Sequence, residues 1–237
     1  MELRYALITD GPTDRALMPI LTWLLHEQGV QCAIQPEWAD LRRLPVRKKL
    51  SLVERMRWAV DLYPCDLLFV HRDAEREPRQ KRYAEILRAV SELQRDHGVA
   101  TPAICVVPVR MQEAWLLFDT EAIRWAAGNS TGRQALGLPP MEDLEDIPDP
   151  KKVLHDLLRE ASGLSGRRLD RFNASERAVR ITSLTDDFHP CGLCLPLSRL
   201  RPIWHSWCIS RAGSPNPISA GDAHGSSHPQ VRLSSTR

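Results

Sequence analysis

Three short apolar runs, each followed by acidic residues, constrain the fold of this chain more than any other feature of its sequence. The runs cover residues 3–9, 66–70 and 104–109. The acids that follow them are Asp10, Asp14, Asp73, Glu75 and Glu113. Between the runs, apolar residues recur at helical spacing. Buried strands that alternate with helices predict an α/β fold, a small parallel sheet with right-handed crossovers and helices on both faces.

Periodic apolar residues and turn signals also place the remaining elements. A further short strand is predicted at residues 32–38. Pro12 suits a first helical turn, Ser51 opens a helix, and Pro64 stops one before the next strand. The predicted helices cover residues 12–28, 51–62, 78–96, 111–127, 150–161 and 176–184. Residues 128–149 are expected to form mainly loops.

Length and composition restrict the class of protein. The chain has 237 residues, 43% hydrophobic and 26% charged, which fits one domain or one domain with an extension. No apolar run is long enough to span a membrane, and the N-terminus lacks a signal-peptide pattern, so a cytoplasmic protein with no membrane partner is expected. The net charge of +2 is too small to imply nucleic-acid binding unless the cations cluster locally.

The composition changes sharply after about Asp187. Residues 191–237 hold one acid, Asp222, beside five arginines, and the apolar periodicity ends. We therefore predict an α/β domain at residues 1–187 and a disordered or frame-shifted tail at residues 188–237. Cys191, Cys194, His205 and Cys208 have a zinc-like spacing, but their segment lacks the patterning of a zinc module, so no zinc site is expected.

The acids point to a metal site, because the carboxyl ends of parallel strands share one ligand-binding crevice. Hard carboxylate oxygens favour Mg²⁺ or Mn²⁺. Asp73 and Glu75 are two residues apart, so an extended backbone places both on the same side. Simpler roles remain open: helix capping for Asp10, Asp14 and Glu113, and a solvated loop for Asp73 and Glu75. His71 is expected to pack or cap rather than bind metal.

Clustered cations raise the possibility of a polyanionic partner such as DNA. Five cations in eight positions, Arg42, Arg43, Arg47, Lys48 and Lys49, could follow a phosphate backbone or simply form a solvated loop. A second candidate patch comprises Lys151, Lys152, Arg167, Arg168 and Arg171. Neither a Walker A motif nor a dinucleotide-binding glycine fingerprint is present, which disfavours those modes of nucleotide binding.

Two motifs resemble the Toprim domain of topoisomerases, primases and overcoming-lysogenization-defect nucleases. They are the segment 10–14, Asp-Gly-Pro-Thr-Asp, and the segment 73–75, Asp-Ala-Glu, each after a predicted strand. Residues 113–118 and 149–152 look like those of an uncharacterised bacterial Toprim-like family. Its members are often encoded beside an ATPase of the ABC or SMC type. The resemblance covers roughly residues 3–187.

The resemblance implies a Toprim- or Rossmann-like sheet and a Mg²⁺- or Mn²⁺-dependent phosphodiester-cleaving protein, a nuclease subunit acting with an ATPase partner. Asp73, Glu75 and Glu113 would hold the metal, with Asp14 in support. Asp10 would be the general acid or base or an added metal ligand, and Lys151 or Lys152 would neutralise phosphate charge. Two departures from the motif matter: Asp10 stands where the family carries Glu, and Glu75 replaces the second Asp of Asp-x-Asp.

Two other functions remain open. The protein is alternatively a non-catalytic partner of an ATPase, with a degenerate metal site. It is otherwise a metal-dependent phosphatase acting on small phosphates. Cations beside the acidic crevice favour a polynucleotide, whereas a closed pocket would favour a small substrate.

Overall fold

A four-stranded, all-parallel sheet forms the centre of the chain. The structure is a computed structural model, and it describes residues 2–45, 49–74, 77–108 and 111–189. The strands are β1 (Glu2–Ile8), β2 (Ala33–Trp38), β3 (Leu67–His71) and β4 (Ala103–Val106), in the order β2-β1-β3-β4. The predicted α/β class and parallel sheet are therefore confirmed.

Helices cover both faces of the sheet. They are α1 (Leu17–Glu27), α2 (Leu52–Leu62), α3 (Arg79–His97), α4 (Thr120–Ala127), α5 (Pro150–Ala161), α6 (Gly166–Asp170) and α7 (Ala174–Ile181). Short 3-10 helices occupy Pro12–Ala16, Leu41–Arg43, Gln112–Leu116 and Met141–Asp146.

Alternation along the two central strands builds two cores. Tyr5 and Leu7 of β1 pack with α1 and the C-terminal helices, whereas Ala6 and Ile8 pack with α2 and α3. Because successive side chains of a strand point to opposite faces, a strand with helices on both sides must be apolar throughout. Residues 67–71 of β3 are likewise all buried. This requirement explains why the sequence shows unbroken apolar runs here rather than alternating polarity.

Local signals fix the ends of several helices. Ser51 accepts a hydrogen bond from the backbone N–H of Glu54, whose carboxylate accepts one from the N–H of Ser51, a capping box at the start of α2. Gly98 ends α3 in the left-handed region at φ +64°, where its N–H donates to the carbonyl of Gln94. A side chain at position 98 would be strained in that conformation.

One predicted helix is wrong in its extent. The helix expected over residues 111–127 is divided into the 3-10 helix Gln112–Leu116 and α4, which begins after Asp119. The Asp119 carboxylate accepts the N–H of Ala122 at 2.9 Å and so starts a new helix. All five residues of the 3-10 helix are buried, which leaves no solvent-facing side for a longer amphipathic helix. The short helix α6 was not predicted.

The packed domain extends beyond the predicted boundary at residue 187. Phe188 is only 2% exposed, and its ring makes edge contacts with Trp23 and Phe118, with ring centroids 5.7 and 6.3 Å apart. The next residue, His189, lies 3.0 Å from the carboxylate of Glu27 on α1. The predicted tail from residue 190 onward, including its cysteines, lies outside the described residues. Within the described part of the chain, no helix is long and apolar enough to cross a membrane.

We expect Phe188→Ala to lower the free energy of unfolding by about 3–5 kcal/mol, the usual cost of deleting a buried aromatic ring. Leu184→Ala, at a residue 38% exposed, is the matched control and should change it by less than about 1 kcal/mol. Urea denaturation of the full chain measures both. Equal effects of the two substitutions would show that Phe188 does not belong to the core.

Candidate metal centre

The strand order creates a crevice between the ends of β1 and β3. The chain leaves β1 to form β2 on one side and later returns to form β3 on the other side. At such a topological switch point the connections diverge, and ligands of α/β proteins bind in the gap. Asp10 and Asp14 follow β1, while His71 and Asp73 come from the end of β3. These side chains are thus directed to the crevice that this strand order creates.

Asp14 is held rigidly within this crevice. Its carboxylate is 7% exposed and accepts the N–H of Gly11 at 2.8 Å and the side-chain amide of Gln112 at 2.9 Å. The bond from Gln112 joins the segment after β4 to the segment after β1. The predicted capping role of Asp14 is therefore real, but it leaves the carboxylate pointing into a group of other acids.

His71 directs a ring nitrogen that carries no hydrogen, Nε2, towards the side chains of two acids. Its ring is fully buried, and its Nδ1 lies 3.1 Å from the carbonyl oxygen of Val106, so Nδ1 must donate the proton. Burial lowers the pKa of His71 despite the opposing charge of Asp14, so the ring is neutral at pH 7. Nε2 then presents a lone pair 3.4 Å from Asp73 Oδ1 and 3.8 Å from Asp14 Oδ2.

Three electron-rich atoms therefore face one another. Neither His71 Nε2 nor Asp73 Oδ1 has a hydrogen-bond partner, although both atoms are buried. Buried polar atoms without partners are rare because desolvation costs about 1–3 kcal/mol for each. Either a proton or a cation between these atoms would remove the conflict.

The pKa of Asp73 reflects its burial and the repulsion from neighbouring acids. Burial, followed by the charges of Asp14 and Glu113, raises the pKa of Asp73 to about 8. At pH 7 the metal-free protein consequently keeps Asp73 protonated for most of the time. A divalent cation would supply the missing positive charge and release that proton.

Glu113 adds a further buried carboxylate to the crevice. It is 7% exposed, and burial raises its pKa, a change that Lys151 opposes and Asp14 reinforces. The Lys151 ammonium lies 3.9 Å from Glu113 Oε1. Lys151 reaches the crevice from the first turn of α5 because Pro150 and the capping carboxylate of Asp149 fix the start of that helix.

Asp10 lies at the same edge but is engaged by arginines. Arg55 of α2 and Arg72 after β3 donate to its two oxygens at 3.0 and 2.7 Å, and Arg55 also donates to the carbonyl of Thr9. Burial alone would raise the pKa of Asp10, but the hydrogen bonds and charges of Arg55 and Arg72 outweigh it and lower the pKa. Asp10 is thus a carboxylate at neutral pH and cannot act there as a general acid.

The structure separates the predicted site residues into groups. Asp14, Asp73 and Glu113 come together, with Asp10 and Lys151 at the border. Lys152 points elsewhere: it is 72% exposed and pairs with Asp156 at 2.6 Å. Glu75 lies outside the described residues.

Sequence reasoning missed His71, Gln112, Arg55 and Arg72 as parts of the site. His71 ends a strand two residues before Asp73, which is the one local signal that could have identified it. Arg55 comes from a helix remote in sequence, so its place at Asp10 follows only from the packing of α2 against β1.

The crevice is not an assembled metal site as it stands. Within residues 2–45, 49–74, 77–108 and 111–189, no three His, Cys, Asp or Glu side chains are placed to enclose a metal ion. Ligands at neighbouring corners of an octahedron with bonds of about 2.1 Å lie about 3 Å apart. The His71–Asp73 and His71–Asp14 separations of 3.4 and 3.8 Å are close to that spacing. Small side-chain rotations would bring these atoms to the spacing of ligands around a cation.

Basic residues predicted to bind nucleic acid lie beside the acids. Arg42 and Lys49 line an open cavity of about 420 Å³ that also contains Asp10 and Arg55. Arg43 instead lines a larger cleft of about 1,000 Å³ along α1 and α7. Arg47 and Lys48 lie outside the described residues.

Comparisons of the chain with protein-family models, with curated proteins and with solved structures find no match in any of the three. A function for this chain therefore has to be inferred from the geometry of the crevice.

We expect the metal-free protein to lose stability as pH rises, because of Asp73. Its pKa is about 8 in the fold against an ordinary 3.8, so the folded state binds more protons than the unfolded chain between these values. The stabilising effect of that proton is complete below about pH 4 and is lost as pH rises through about 8. Asp73→Asn removes this dependence and should stabilise the protein by a few kcal/mol, roughly, at pH 8.

Urea denaturation in EDTA from pH 5 to 8.5 measures this difference. Asp61→Asn is the matched control, because Asp61 is an exposed acid on α2 that pairs only loosely with Arg57 at 3.7 Å. A gap between the parent and Asp73→Asn that stays constant with pH would contradict the assigned proton.

Proposed function

We propose that this chain is a Mn²⁺- or Mg²⁺-dependent phosphodiester-cleaving protein of Toprim type, a nuclease subunit that acts on DNA. The observation that carries the proposal is the meeting of His71 Nε2 and Asp73 Oδ1, which are buried without hydrogen-bond partners, beside Asp14 Oδ2 in the crevice where α/β folds bind ligands. Buried carboxylates that repel one another lower stability unless a cation compensates them. A bound cation would offset this repulsion.

Asp73, Asp14, Glu113 and His71 are the residues that would hold the metal. Imidazole nitrogen is a better ligand for first-row transition ions than for Mg²⁺, which prefers oxygen and water. The presence of His71 therefore favours Mn²⁺ over Mg²⁺. When bound, such an ion polarises a phosphoryl oxygen and orients the attacking group.

The cations of the site are placed to receive the phosphate. Arg55 and Arg72 meet at Asp10, and both side chains retain some solvent exposure, 22% and 18%. Guanidinium groups bind phosphate oxygens through paired hydrogen bonds. Lys151 stands on the other side of the crevice, beside Glu113. Together they would neutralise charge that develops on the phosphate during cleavage.

Of the roles that the resemblance implies for Asp10, the general acid is disfavoured. Its lowered pKa suits a base or a metal ligand, because it stays ionised at neutral pH. Its two ion pairs also make it a positioning residue for Arg55 and Arg72. A substrate phosphate that binds those arginines would free the Asp10 carboxylate to turn towards the crevice.

A non-catalytic subunit is the second candidate, and the arginine pairs of Asp10 favour it. A carboxylate that is satisfied by two arginines needs no metal to be stable. In that case the protein would bind an ATPase of the ABC or SMC type through surfaces that the crevice does not define. A plasmid-cleavage assay separates the two candidates, because only the first requires Mn²⁺-dependent activity.

We expect Asp73→Ala and Lys151→Ala to reduce Mn²⁺-dependent plasmid cleavage by at least about 100-fold and 10-fold, respectively. Asp73 removal eliminates a central ligand, whereas Lys151 removal takes away one charge beside the phosphate. Nicking of supercoiled plasmid by the full chain, with and without an added ATPase partner, measures both.

Lys152→Ala is the matched control, since Lys152 is the next residue on α5 but pairs with Asp156 at the surface. It should cleave like the parent. Equal activity of the parent and Asp73→Ala would exclude the crevice as the active site. Absence of any Mn²⁺-dependent cleavage by the parent with the partner present would favour the non-catalytic subunit.

A further inference from the structure

A cavity adjoins the acidic crevice on the side of β2. It is bounded by the ends of β1 and β2, the 3-10 helix Leu41–Arg43 and the start of α2, and it measures about 420 Å³. Its volume lies within the range of about 300–1,000 Å³ that is usual for small-molecule sites. Asp10 and Arg55 belong both to the wall of this cavity and to the border of the crevice, so the two spaces are neighbours.

The cavity wall contains an aromatic ring in a fixed orientation. The indole N–H of Trp38 donates to Thr9 Oγ1 at 3.0 Å, and that hydroxyl in turn donates to the carbonyl of Gly11 at 2.7 Å. The Arg42 guanidinium lies over the Trp38 ring, 4.9 Å from its centroid, and is held there by Asp40 at 2.7 Å. Trp38 and Arg42 thus form a cation–π pair in the cavity wall, which offers a surface for a second planar group.

The charges of the wall suit an anion at one end. Arg42, Lys49 and Arg55 supply three cations, against the two carboxylates of Asp10 and Asp40. Asp40 is already paired with Arg42, and Asp10 with Arg55 and Arg72. The Lys49 side chain is exposed at the cavity rim. A planar stacking surface together with cations is the combination that recognises a base and its phosphate.

We propose that this cavity binds one unstacked nucleotide, with its base against the Trp38–Arg42 pair and its phosphate towards Lys49 and Arg55. The inference rests on the proposed function for its substrate, because the nucleotide would be the neighbour of the one whose phosphate enters the crevice. A base can enter the cavity only when it is outside a helical stack. The site therefore selects single strands or frayed ends over closed duplex DNA.

Calorimetric titration of the full chain in EDTA tests the base subsite without any metal. The probes are dAMP and deoxyribose 5-phosphate, which differ only in the base. We expect dAMP to bind at least about fivefold more tightly, since stacking on an aromatic side chain contributes that much or more. Trp38→Leu should abolish the difference, and Lys49→Ala should weaken both probes alike.

Matched controls keep the test specific. Trp125→Leu changes a ring that is 58% exposed on α4, and Lys81→Ala changes an exposed lysine of α3; neither should alter binding. If Trp38→Leu unfolds, Trp38→Phe retains a ring and should show an intermediate affinity. Equal binding of dAMP and deoxyribose 5-phosphate by the parent would overturn the proposal, as would equal effects of Trp38→Leu and Trp125→Leu.

A competition experiment tests whether the nucleotide comes from a single strand or from a duplex. A ten-nucleotide single strand should displace dAMP, whereas a blunt-ended duplex with G·C pairs at both ends should not; displacement by both alike would overturn the preference for single strands. The experiments also distinguish failure of the nucleotide subsite from failure of the proposed nuclease function. Loss of Mn²⁺-dependent cleavage with intact dAMP binding rejects only the proposed function, and cleavage without base-dependent binding rejects only the nucleotide subsite.

Discussion

The opposition of His71, Asp73 and Asp14 is the interaction that underlies the functional interpretation. Backbone geometry enforces it: the carbonyl of Val106 accepts a hydrogen bond from Nδ1–H of His71, so Nε2 faces Asp73 Oδ1 at 3.4 Å with a lone pair. Because the ring is fully buried, neither water nor ring protonation relieves the contact easily. Burial and the charges of the neighbouring acids favour the protonated form of Asp73 and raise its pKa to about 8. A divalent cation bound between these atoms would replace that proton, and we propose that such an ion serves catalysis.

The fold gathers charges of both signs around this centre. The switch between β1 and β3 opens the crevice, and the acids come from the loops that end those strands and β4. Arg55 and Arg72 converge on Asp10 from α2 and from the end of β3, and Lys151 approaches from α5. Acids in the centre with guanidinium and ammonium groups at the border form an arrangement suited to a phosphate ester bound over a metal. The cavity at Trp38 adjoins this surface, and it is where we propose that a neighbouring nucleotide binds.

Periodicity alone predicted the fold well, because the parts of a strand that have helices on both faces must be apolar, as residues 5–8 of β1 and 67–70 of β3 are. The break at Asp119 was missed since an apolar run does not reveal that its residues are buried on every side. In the site, Asp14, Asp73 and Glu113 were predictable from their positions after strands. Arg55 was not, because its approach to Asp10 depends on how α2 packs, and His71 was undervalued because a buried histidine is more often structural than functional.

Proton release on Mn²⁺ binding is the sharpest test of a cation site at His71, Asp73 and Asp14. Calorimetric titration of Mn²⁺ into the metal-free full chain at pH 7, in two buffers of different ionisation enthalpy, counts the protons released per ion bound. Because the pKa of Asp73 is about 8, we expect one site per chain and the release of about one proton, both lost in Asp73→Asn. Mn²⁺ binding that is unchanged in Asp73→Asn, or binding by the parent with no proton released, would contradict a metal site at these residues.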